Sequence, residues 1–133
     1  MKIKKLLFLL ALLFLSATGF AENVVLMNKS SYPSKGSKMM VQWASTTKEV
    51  QEGNQAITNG SKLNASTMQM LTQAGKVNVN LPKNAEYFRV LVWSKAGDSP
   101  DLLTNWVQIV PNKTYQLDSD HLVPAVLMAG TGC

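Results

Sequence analysis

From residue 24 to residue 128 apolar side chains recur largely at every second position, in short runs that stop at clusters of Gly, Pro, Asn, Asp or Ser. That period belongs to strands with one buried face, and the regular turn signals between runs predict many short strands. Val77, Val79 and Leu81 alternate with Asn78 and Asn80. Met39, Val41 and Trp43 share one face of an extended segment, with Met40 and Gln42 on the other. Residues 86–94 are densest in aromatic and β-branched types: Phe88, Val90 and Val92 form an apolar face, and Tyr87, Arg89, Leu91 and Trp93 a mixed one. Residues 104–110 predict a further strand, with Val107 and Ile109 inward and Trp106 and Gln108 opposite. Met68 and Met70 flank Gln69 in a short strand of the same kind. Pro124 confines the last run to an edge or a bulge. Residues 44–54, poor in apolar types, read as a long loop or a weakly paired edge. Asn59-Gly60 carries the signature of a type I′ hairpin, whose central residues need positive φ. These segments predict about seven to nine strands and no helix.

Composition narrows the class only after the first residues are set apart. Lys2, Lys4 and Lys5 precede the apolar run 6–15, and Gly19-Phe20-Ala21 offers small residues at the −3 and −1 positions of a cleavage site. That arrangement predicts a signal peptide over residues 1–21, hence an exported protein, periplasmic or extracellular, of a bacterial type. The run is too short to cross a bilayer, so no membrane span is expected. The remaining chain holds ten basic and eight acidic residues. The basic excess of the full chain is therefore largely the leader's, and nucleic acid is not an expected partner. Residues 22–129 are long enough for one domain that folds without disulfides, followed by a tail, 130–133. The single cysteine, Cys133, is the last residue; in an oxidising compartment it suggests an intermolecular bond, for instance in a homodimer.

One local pattern points to a kind of sandwich. Leu81 and Tyr87 lie six apart across a proline-containing turn, and residues 110–115 repeat the pattern at Tyr115. Both resemble the tyrosine corner of immunoglobulin-like and fibronectin type III-like domains, in which the phenol ties back to upstream backbone. The resemblance implies a small antiparallel β-sandwich, immunoglobulin-like or fibronectin III-like in general architecture.

Little in the chain suggests catalysis. His121, the only histidine, sits among Asp118, Ser119 and Asp120, but no Gly-x-Ser-x-Gly elbow supplies a nucleophile. One histidine and one cysteine cannot make a zinc site of the usual composition, and no Gly-rich phosphate loop opens a helix. Neither a catalytic residue, a cofactor nor a metal site is assigned. If residues 86–94 pair with 104–110, Tyr87, Arg89, Trp93, Trp106 and Gln108 share one sheet face. Aromatic residues and arginine anchor protein interfaces and stack on flat ligands such as sugar rings, yet the same residues also suit a second core layer. The expectation is a non-enzymatic binding module for a protein or glycan partner. Two alternatives stand beside it: an assembly subunit joined by edge-strand addition or through Cys133, and a soft-metal (copper) carrier, for which Met68 and Met70 offer thioethers on one strand face.

Overall fold

The computed structural model describes residues 22–127. The expected signal peptide and Cys133 lie outside the described residues. Nine strands form: β1 (Glu22–Asn28), β2 (Lys38–Ala44), β3 (Met68–Leu71), β4 (Gly75–Leu81), β5 (Tyr87–Trp93), β6 (Leu102–Leu103), β7 (Val107–Gln108), β8 (Thr114–Leu117) and β9 (Val123–Pro124). They make two sheets, a three-stranded one in the order β4-β1-β8 and a six-stranded one in the order β3-β2-β5-β6-β9, with β7 also alongside β5. The two sheets build the β-sandwich that the alternation predicts. The pairing is antiparallel except between β1 and β8, which run parallel.

Period two explains the core. Val24 and Leu26 of β1, Val79 and Leu81 of β4 and Leu117 of β8 face Met39 and Val41 of β2, Leu71 of β3, and Phe88, Val90 and Val92 of β5. Asn78 and Asn80 are exposed on the far side of β4, as their alternation requires. Of the two tyrosine corners the sequence offers, Tyr115 closes one: its phenol accepts the Val110 N–H at 2.8 Å and donates to the Gln108 carbonyl at 2.8 Å. The same ring meets Phe88 edge-on, with centroids 4.9 Å apart, so it ties the turn to the core.

Residues 47–59 correct the sequence reading. They form a helix, α1 (Thr47–Asn59), where a loop and a hairpin were expected. Thr46 caps it, its hydroxyl oxygen accepting the Glu49 N–H at 3.1 Å, and the Glu49 carboxylate accepts the Ser45 N–H at 3.0 Å. At the other end Gly60 adopts φ 66°, and the Gly60 and Ser61 N–H groups close on Ile57 and Ala56 carbonyls at 3.2 and 2.8 Å. The positive φ that made Asn59-Gly60 look like a hairpin thus ends a helix instead. The physical reason for the misreading is the composition of the buried side. Val50, Gly53, Asn54 and Ile57 follow helical spacing, but two of the four are not apolar, and no residue of α1 is fully buried.

With α1 in place the large sheet is covered on both sides. Leu91, Trp93, Leu103 and Ala125 form a second buried cluster, and Met40, Ile57, Leu63, Met68 and Val123 pack against it. This explains why six of the seven residues of β5 are buried without alternation. A central strand sandwiched by two layers has no wet face.

Beyond β5 the predicted strand over residues 104–110 is interrupted. Leu91 pairs with Leu103 and Val92 with Leu102, whereas Tyr87 pairs with Gln108 and Phe88 with Val107. The register therefore advances by one residue between β6 and β7, as in a β-bulge. At that step Thr104 carries the ladder: its N–H donates to the Val90 carbonyl at 3.0 Å and its hydroxyl accepts the Val90 N–H at 3.0 Å. Trp106 leaves the regular strand there. Farther along, the Asp101 carboxylate takes the N–H and the hydroxyl of Ser94 and so closes the loop between β5 and β6.

Candidate functional site

The β2–β5 register sets Gln42 directly opposite Arg89. Both point to the α1 side, and both are buried, Arg89 being only 2% exposed. Its Nε donates to Gln42 Oε1 at 2.8 Å and its Nη1 to Asn54 Oδ1, on α1, at 2.9 Å. Asn54 Oδ1 also accepts the indole N–H of Trp106 at 3.0 Å. The guanidinium lies over the Trp106 ring, 4.4 Å from its centroid. One amide oxygen on the helix thereby fixes a cation from the sheet and an indole from the bulge.

This cation has no charged partner among the described residues: no carboxylate pairs with it, and Nη2 is buried with no hydrogen-bond acceptor. Burial pushes the Arg89 pKa down from its ordinary value to about 10, a direction that records the cost of holding a charge away from water. Space explains how the group fits. A Cβ at position 53 would lie 3.3 Å from Arg89 Nη2 and 3.3 Å from Trp106 Cζ2, a tight fit that would push the guanidinium or the indole aside by a few tenths of an ångström, and Gly53 avoids it.

Against the network opens a cleft of about 260 Å³, bordered by Gln42, Gly53 and Trp106 on the floor side and by Glu49, Glu52, Lys62 and Asn64 among its polar walls. Trp106 is half-buried and keeps part of its ring toward this space. An indole held in place, two carboxylates, amides and a lysine make a surface suited to a ligand with a flat apolar face and several hydroxyls.

The five residues singled out from sequence thus divide. Arg89 and Trp93 belong to the interior, so at these positions the face is the second core layer. Trp93 is 5% exposed and stacks under the Lys38 ammonium at 4.3 Å. That contact follows from the cross-strand pairing of Lys38 with Trp93. Tyr87 and Gln108 are cross-strand partners, half-buried and exposed. Trp106 meets Arg89, though it lines the cleft from a bulge and not from the regular strand that was expected. Sequence reasoning passed over Gln42, Gly53, Asn54 and the α1 carboxylates. The signal for α1 was Thr46-Thr47-Lys48-Glu49, the pattern of a helix N-terminal cap.

Two other features lie away from this cleft. Asp118, Asp120 and His121 offer ligand atoms within 4.8 Å of one another. However, His121 Nδ1 already accepts the Asp118 N–H at 3.0 Å, and the Asp118 carboxylate accepts from Gln116 Nε2. A second opening of about 390 Å³ lies between the sheets, with Leu26, Phe88, Val90 and Leu117 inside and Asp120 and His121 among its polar lining. No helix among the described residues is long and apolar enough to cross a membrane. No family model, curated protein or solved structure matches the chain.

Proposed function

We propose that the protein is an exported, non-enzymatic binding module that takes a polyhydroxylated ligand, such as the end of a glycan, in the cleft beside Trp106. The observation that carries this reading is the buried Arg89, a cation without a counter-charge that positions the indole. Folding alone favours replacing such a charge by apolar side chains, and polar groups kept at a cost to stability mark binding sites. Glu49, Glu52 and Asn64 add hydrogen-bond acceptors around the cleft. The leader-like segment over residues 1–21 supports export.

Titration with a panel of oligosaccharides, followed by amide NMR shifts, tests the reading. Shifts should concentrate on Gln42, Gly53, Asn64 and Trp106. Trp106→Ala should weaken binding at least about tenfold, the scale of losing one aromatic stacking contact, while Asn78→Ala on the exposed face of β4 changes nothing. Equal binding by wild type and Trp106→Ala contradicts the assignment of the cleft.

A further inference from the structure

The β2–β3 register brings together three methionines that are scattered in the sequence. Met40 pairs directly with Met70, and Met68 lies two residues before Met70, opposite Gln42. Directly opposed residues have Cβ atoms about 5 Å apart, and residues two apart on a strand point to the same face. All three methionines therefore stand on the α1 side of the large sheet, whereas Met39 and Leu71 point into the core between the sheets. Their burial is graded. Met40 and Met68 are half-buried against the second core cluster, and Met70 is 52% exposed. The cluster thus opens to solvent at Met70, where a large apolar side chain remains uncovered. Packing accounts for Met40 and Met68 and leaves Met70 unexplained.

We propose that Met40, Met68 and Met70 form a binding site for a soft monovalent cation, Cu(I) in kind. Thioethers are neutral, polarizable donors that select Cu(I) and its analogue Ag(I) over harder divalent ions. Met40 and Met68 pack against the same buried cluster as Leu63 and Ile57, a largely apolar surround that a singly charged ion tolerates better than a divalent one. Met70, on the open side, is free to swing onto an incoming ion. Of the cations on this face, Lys38 holds its ammonium over the Trp93 ring, and Arg89 turns its guanidinium to Gln42 and Asn54. The site adjoins the Trp106 cleft, which Gln42 and Leu63 also line, but its three thioethers are not among the cleft's lining residues, so either assignment can fail without the other.

The test uses the full chain with Cys133→Ser, which removes the competing thiol. Ag(I) is titrated into protein carrying labelled methionine methyl groups, and Cu(I) is then competed anaerobically against a chromophoric chelator. The proposal expects one ion per chain, methyl shifts at Met40, Met68 and Met70, and none at Met27 or Met39. Met70→Leu, a volume-conserving change at an exposed position, should weaken binding at least about tenfold, since even outer-shell losses cost that much in metal sites. Met68→Leu should do the same. Zn(II) should leave the methyl signals unmoved. Equal shifts at every methionine, unchanged affinity in Met70→Leu, or failure to compete with the chelator would overturn the site.

Discussion

Arg89→Ala is expected to destabilise the fold by about 3–4 kcal/mol in chemical denaturation, whereas Arg89→Met should change it by less than about 1.5 kcal/mol. The alanine variant empties a volume that is 98% removed from solvent. It also leaves Gln42 Oε1 without its donor and takes one of two donors from Asn54 Oδ1. Cavity formation at a long buried side chain costs about 2–5 kcal/mol, and an orphaned buried acceptor about 1–3 kcal/mol more, reduced where the site can collapse. Methionine loses the same hydrogen bonds and the same desolvated charge but keeps the stem, so no cavity opens and the charge relief offsets most of what is lost. A loss under about 1 kcal/mol for alanine is the result of an exposed arginine, and does not fit a guanidinium enclosed by α1.

The second large effect is expected at Leu91. Leu91→Ala should cost about 3–5 kcal/mol, comparable with Val90→Ala or more, although the two side chains point to opposite faces of β5. Leu91 is fully buried in the cluster under α1, and Val90 in the one between the sheets. If the outer face of the large sheet were open to water, truncating Leu91 would cost well under about 1 kcal/mol. Equilibrium denaturation of both variants separates the cases, because only a two-sided core makes both substitutions severe.

The strands and the inner core were legible because period two marks any sheet with one buried face. β2, β4 and β5 fall within a few residues of the segments read from alternation, and Asn78 and Asn80 mark the wet side of β4. What escaped was α1, and for a physical reason. Its inward side is built from Gly53 and Asn54, chosen to let Arg89 approach and to bond it, so no apolar stripe announces a helix. The same omission left the mixed face of β5 undecided, since Arg89 and Trp93 look like a surface until a covering layer is known. Pairing register was equally hidden. Trp106 was expected on a regular strand, and nothing in residues 104–110 reveals that the Thr104 hydroxyl replaces a backbone acceptor. Met40 could not be joined to Met68 and Met70 before β2 and β3 were known to be neighbours.

The central claim is that an uncompensated Arg89 ties α1 and Trp106 to the sheet, and Asn54→Asp tests it most directly. The substitution places a carboxylate where the amide oxygen now accepts from Arg89 and Trp106, at equal size and nearly equal helix propensity. A charged acceptor strengthens both hydrogen bonds and supplies the missing counter-charge. Near neutral pH the variant should gain about 1–2 kcal/mol. Pairing with Arg89 lowers the new carboxyl's pKa in the folded state, so the gain is present above the unfolded value of about 4 and disappears as the pH falls through the folded one. Thermal melts at both ends of that range are the measurement. A variant no more stable than wild type near neutrality contradicts a buried cation in want of a partner.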